Sequence, residues 1–179
     1  MAEKFYNVLF LGETNAARSL MAESLMSFWG KHRFQAFSAG RLATPVAHPY
    51  AIELLNKLGF PTVGLRSKSW ETFVKPEAPE MDFVFIVCER AKIEPIPPFP
   101  GQPMTAEWSV ADPASVAGTE RKKRDAFRQA LRELENRIKI FVNLRVDALD
   151  RLTLEREVRG IGQAHVARNS GAAGQKSLS

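Results

Sequence analysis

Residues 8–23 read Val8-Leu9-Phe10-Leu11-Gly12-Glu13-Thr14-Asn15-Ala16-Ala17-Arg18-Ser19-Leu20-Met21-Ala22-Glu23. Val8 to Leu11 is an apolar run with the makeup of a buried strand, and from Leu20 the pattern turns helical. A short polar loop ending in Arg18-Ser19 joins the two. Strand, tight loop and helix N-terminus together turn backbone N–H groups and the positive end of a helix dipole onto one point. That is a cradle for an oxyanion. Arg18 adds a guanidinium able to close it with paired hydrogen bonds.

Outward from this stretch the chain alternates strands and helices. Tyr6–Leu11 is predicted as the first strand. Ser19 to about Gly30 has helical spacing through Leu20, Leu25, Met26 and Trp29, with Gly30 as the stop. Phe34–Phe37 is a second strand running into Ser38-Ala39-Gly40. His48 to Leu58 is a helix with Ile52, Leu55 and Leu58 on one face and Gly59 closing it. Arg66-Ser67-Lys68-Ser69 opens a shorter helix through Phe73. Asp82–Val87 is a near-continuous apolar strand, as expected where both faces are covered. Five prolines between Pro95 and Pro103 make that stretch a loop. Thr105–Trp108 is a last short strand. From Thr119 to about Val158 the pattern is helical, with a break expected near Val142–Asp150.

The expected architecture is therefore a three-layer α/β domain over residues 1–158, with a parallel sheet wound on both sides by helices. Ligands in such sheets sit beyond the carboxyl ends of the strands, where the winding direction reverses. The loop after the first strand is such a place. Residues 159–179 are rich in Gly, Ala, Ser and polar side chains and are expected to form a flexible tail.

Composition narrows the function classes. A chain of 179 residues, 45% apolar, suits one buried core. No apolar stretch is long enough to span a membrane, and the start has no signal-peptide anatomy, so a cytoplasmic protein is expected. The net charge of +5 is spread along the chain. Its one run, Arg121-Lys122-Lys123-Arg124, opens a long helix and reads as a solvated face rather than a nucleic-acid patch. The single cysteine, Cys88, excludes an internal disulfide and a multi-cysteine metal site. His32, His48 and His165 are scattered, so no metal is expected. No phosphate-binding lysine loop or dinucleotide glycine pattern is present, and no cofactor is expected.

The spacing in residues 8–23 resembles the low-molecular-weight protein tyrosine phosphatases and the thioredoxin-coupled arsenate reductases of the same fold. Those families carry a cysteine nucleophile, five residues, then Arg-Ser or Arg-Thr. Counting back from Arg18 puts the nucleophile's place at Gly12. Asn15, Arg18 and Ser19 match the pattern, whereas Gly12, Glu13, Thr14, Ala17 and, more mildly, Ala16 depart from it. Ser38-Ala39-Gly40, Pro45, Leu58-Gly59 and Arg66-Ser67-Lys68-Ser69 follow in family order. The segment Glu107-Trp108-Ser109-Val110-Ala111-Asp112-Pro113-Ala114 resembles the loop bearing the family's acidic residue, a general acid in the phosphatases. Two tyrosines usually follow that residue in phosphatases. Ala114-Ser115 stands here instead and leans towards the reductases.

The resemblance covers roughly residues 5–145. It implies a four-stranded sheet of the phosphotyrosine phosphatase I type. It also implies a site for phosphate, arsenate or sulfate built from Gly12, Glu13, Thr14, Asn15, Ala16, Ala17, Arg18 and Ser19. Asp112 and Cys88 are the candidate catalytic groups, Cys88 standing where the reductases place a thiol that attacks the nucleophile's arsenic adduct. No third cysteine follows it.

Three functions stay open at this level. One is a catalytically degenerate relative that holds an oxyanion or a protein partner at the old site. Another is an arsenate reductase that borrows an external thiol and uses Cys88, which requires that thiol exposed with a lowered pKa. The last is an interaction module working through the helix from Thr119 and the basic tail. Each functional residue also has a plainer reading. Arg18 could pair with Glu13 in an ordinary turn, Asp112 could cap the final helix, and Cys88 could be inert packing. A Glu13 carboxylate turned into the loop would oppose an anion by several kcal/mol.

Overall fold

A computed structural model describes residues 4–174. Four parallel strands, β1 (Tyr6–Gly12), β2 (Phe34–Gly40), β3 (Phe83–Ile86) and β4 (Met104–Glu107), stand in the order β2-β1-β3-β4. Four helices complete the frame: α1 (Arg18–Trp29), α2 (Pro49–Lys57), α3 (Glu120–Val142) and α4 (Arg151–Gly174).

β1 lies at the centre, with Leu9 opposite Phe37 on one side and Val84 on the other. Alternate side chains of a strand face opposite ways. Val8 and Phe10 accordingly join Phe83, Phe85, Trp108 and the apolar faces of the helices. Leu9 and Leu11 join Ala39, Val84, Ile86 and Cys88 beneath the second face. Both faces are dry, which is why the strand reads as an unbroken apolar run rather than an alternating one. The coverings differ in kind. All four helices contribute to the first cluster, whereas Phe73, Ile93 and Phe99, from short 3-10 turns and the proline-rich loop, close the second.

Local chemistry sets the helix boundaries. The Thr119 hydroxyl caps α3 by accepting from the Lys122 amide at 3.2 Å, and His48 caps α2. The expected break between α3 and α4 falls at residues 143–150. The segment from Arg66 does not become a helix until Trp70. The Lys68 amide is held by Asn15, Ser69 bridges to Gly40, and only Trp70–Phe73 turns, as a 3-10 helix capped by Ser69.

The chain is also helical beyond Gly160, where the composition led to the expectation of a loose tail. Ile161 is buried in the main core. A Cβ on Gly162 would strike the Glu107 carbonyl, so α4 lies tight against the end of β4. The Trp108 indole, stacked on Phe85 with ring centroids 3.8 Å apart, donates to the Val158 carbonyl of α4 at 2.9 Å. Residues 175–179 fall outside the described part. No helix among the described residues is long and apolar enough to cross a membrane.

Candidate functional site

The winding of the sheet reverses at β1, so the loop leaving Gly12 occupies the place where ligands bind in such folds. Its shape comes from one residue in the left-handed region. Asn15 has φ 53° and is almost fully buried. Asparagine tolerates that conformation, and its side chain is used at both ends. Nδ2 donates to the Ser19 hydroxyl at 2.7 Å, and Oδ1 accepts from the Lys68 amide at 2.9 Å.

Four loop carbonyls bond to the segment that follows β2. Those of Gly12, Glu13, Thr14 and Ala16 accept from the amides of Arg41 (3.3 Å), Leu42 (2.7 Å), Thr44 (3.1 Å) and His48 (2.8 Å). The loop N–H groups have no such partners. From Thr14 to Ser19 none finds an acceptor among the described residues, and α1, with Ala17 at its N-cap, has no side-chain cap. Uncapped helix amides normally meet a side chain, water or a ligand.

These donors border a cavity of about 270 Å³ whose far wall includes Thr44, His48, Asp112 and Ala114. Larger clefts lie between α2 and α3 (about 360 Å³) and between β4 and α4 (about 640 Å³). Neither of those contains the amide-lined loop, so size is a poor guide to this site.

Arg18 spans the cavity rather than folding back on its own loop. Nη1 donates to the Val110 carbonyl at 2.9 Å, and Nη2 lies 3.9 Å from Asp112 Oδ2. The expected alternative, an Arg18–Glu13 pair, does not form; Asp112 is the partner. Glu13 lines the cavity half-buried, and its carboxylate has no partner among the described residues. Asp112 Oδ1 accepts from the Ala114 amide at 3.0 Å. It therefore caps the short turn Pro113–Ser115 and not α3, which Thr119 caps.

The strand end leading to Asp112 is braced from behind. The buried Arg137 of α3 donates to the Trp108 and Ser109 carbonyls, and the Ser109 hydroxyl donates to the Cys88 carbonyl at 2.9 Å. Successive carbonyls from Trp108 to Val110 are thus each gripped by an arginine.

Cys88 is fully buried, packed under the second face of the sheet. Burial pushes its thiol pKa up; the Arg18 charge pulls it back down, and Glu13 pushes it further up. A resolving thiol needs exposure and a lowered pKa, and this one has neither. Sequence reasoning missed His48. Its ring borders the cavity, and burial lowers its pKa while Asp112 acts in the raising direction. A histidine before proline at a helix start was the available signal. Among the described residues no group of three His, Cys, Asp or Glu side chains could hold a metal ion.

The low molecular weight phosphotyrosine protein phosphatase model matches residues 7–157. The chain belongs to this family. It is 28% identical over 134 residues to the arsenate reductase of Bacillus subtilis, covering 75% of this chain and 93% of that one. An arsenate reductase structure from Archaeoglobus fulgidus aligns with a TM-score of 0.62 at 27% identity, over 76% of this chain and 99% of the other. A further arsenate reductase, solved in a phosphate-binding state, aligns equally well (0.62) at 23% identity, over 77% and 97%, and supports the fold alone. The family match ends at residue 157, so the part of α4 that packs Ile161 and Gly162 on β4 lies beyond it.

Proposed function

We propose that this chain is a catalytically degenerate family member that binds a tetrahedral oxyanion (phosphate, arsenate or sulfate) on the loop Gly12–Ser19. The observation carrying this reading is the row of amides from Thr14 to Ser19. They are left without acceptors because the loop carbonyls are tied to residues 41–48. An anion there would meet those N–H groups, the positive end of α1 and the Arg18 guanidinium together.

Degeneracy follows from Gly12, which occupies the nucleophile's place and has no side chain to attack phosphorus or arsenic. Asp112 faces the cavity and could protonate a leaving oxygen, but protonation without a nucleophile completes no covalent step. Cys88, buried and with a raised pKa, does not substitute for it. Glu13 lines the same cavity and weakens the anion site, and the amides, the positive end of α1 and Arg18 act against it.

Calorimetric titration with phosphate, sulfate and arsenate tests the reading, with aryl-phosphate turnover measured on the same sample. Binding without turnover is expected. At a ligand concentration of 100 Kd the anion should add about 2.7 kcal/mol of stability. Absence of heat and of any thermal shift with all three anions would overturn it.

A further inference from the structure

We propose that His48 is a ligand-contacting residue of the anion site, its Nε2–H donating to the outward oxygen of a tetrahedral oxyanion seated on the loop. This rests on the oxyanion-binding reading above.

The tautomer is fixed by the fold. As the N-cap of α2, His48 accepts the Tyr50 amide at Nδ1 (3.1 Å). A ring nitrogen that accepts carries no proton, so the neutral imidazole must hold its hydrogen on Nε2. Nε2 has no partner among the described residues. The residue that carries it lines the loop cavity.

The ring is also held in place. The His48 backbone amide donates to Ala16 O at 2.8 Å, which anchors the residue to the anion loop itself. Its centroid lies 4.6 Å from that of Phe127 and 5.3 Å from that of Tyr50. It divides the loop cavity from an adjoining one of about 210 Å³ that shares Ala114 and includes Pro113 and Lys123.

The surrounding charges are mixed. Glu13 and Arg18 line the loop cavity, Asp112 faces the ring electrostatically, and Lys123 of α3 lines the adjoining space. On α2 itself, Tyr50 supplies the capped amide, with Arg124 of α3 over its ring. Protonating Nδ1 would set two N–H groups face to face at the positive end of α2. Burial acts in the same direction and outweighs the attraction of Asp112. His48 is therefore a neutral donor that stays a donor around neutral pH. Unlike a second guanidinium, it neither pairs with Glu13 nor locks onto Asp112.

The test is calorimetric titration of inorganic phosphate into the full chain, wild type against His48→Asn and Arg18→Ala. Asparagine keeps a capping oxygen for the Tyr50 amide and removes Nε2–H. His48→Asn should weaken phosphate by about tenfold to a hundredfold, the worth of one hydrogen bond to a charged acceptor. Arg18→Ala should lose binding altogether. In a second measurement, imidazole nitrogen NMR of the wild type should show the Nε2–H tautomer, its resonance moving as phosphate is added. Unchanged affinity in His48→Asn, or the Nδ1–H tautomer, removes His48 from the site while leaving the loop's role intact. A wild type that binds no phosphate overturns both readings.

Discussion

Gly40 lies directly beneath Asn15: a Cβ on Gly40 would come 2.7 Å from the Asn15 amide nitrogen and 2.8 Å from the Thr14 carbonyl carbon. The contact exists because β1 and β2 end in register, Gly12 opposite Gly40, so that the loop leaving one strand crosses the tip of the other. The Ser38-Ala39-Gly40 motif is thus a statement about the anion loop as much as about its own strand.

Gly40→Ala should therefore act on the loop as well as on stability. The methyl group meets backbone, which cannot swing aside, and overpacking of this kind costs about 1–3 kcal/mol. Chemical denaturation measures that loss, and phosphate titration should show weakened binding. Gly160→Ala, inside α4 with nothing within 4 Å, should instead be neutral or stabilising by up to about 1 kcal/mol. Equal effects at the two positions would mean that the loop relaxes freely.

Arg18→Ala and Glu13→Thr should move phosphate-induced stabilisation in opposite directions. One removes the guanidinium that spans the cavity, the other removes the negative charge of a residue that lines it. Thermal shift across a phosphate series reads both. Small, equal changes would show that the loop no longer binds oxyanions.

The strand, the loop and the switch point could be read from residues 8–23 because each rests on local chemistry: an apolar run, a polar turn, a helical period. What escaped the sequence depends on partners far along the chain. Arg18 looks toward Glu13 on paper, yet its acceptor is Val110, 92 positions away. His48 looked like one of three scattered histidines until the Ala16 carbonyl brought it to the cavity. The helix expected from Arg66 failed because Asn15 claims the Lys68 amide, a contact that no local propensity encodes. At Gly162, glycine is what the close approach of α4 to the Glu107 carbonyl requires, a contact that composition alone does not announce.

Cys88 should be inert in the native protein. Burial raises its pKa, so at pH 7–8 the thiolate fraction is small, and packing excludes reagents as well. Titration with a chromogenic disulfide should label it slowly in buffer and stoichiometrically once the chain is unfolded. Rapid labelling at neutral pH would restore the external-thiol reductase as a serious reading.

His48 predicts a pH dependence of stability with a definite sign. Its folded-state pKa is lowered, so below about 6.5 the unfolded chain takes up the proton more readily than the folded one. Stability should fall as pH drops from that value through the folded-state pKa, and be fully present above it. Denaturation across pH 5 to 8 should show this slope in the wild type and a shallower one in His48→Asn. Identical slopes would mean that the imidazole titrates as freely folded as unfolded.

Rebuilding the nucleophile tests most directly whether the scaffold keeps the family's catalytic geometry. Gly12 is not in the left-handed region, and a Cβ there would first meet Ser19, with Oγ at 3.1 Å. That hydroxyl need give only a few tenths of an ångström to admit a cysteine. Gly12→Cys with Glu13→Thr and Thr14→Gly restores most of the loop while leaving Asn15, Arg18, Ser19 and Asp112 in place. The new thiolate would sit among the unpaired amides at the start of α1, so its pKa should fall well below the free value of about 8.5. Aryl-phosphate hydrolysis should then appear, and adding Asp112→Ala should lower it by roughly 10²–10⁴-fold. Gly12→Cys alone should do worse, because Glu13 both raises the thiol pKa and repels the substrate. A folded triple variant with an ordinary thiol pKa and no hydrolysis would show that more than the nucleophile's loop has been lost. Asp112, held between the Ala114 amide and Arg18, would then be the first suspect.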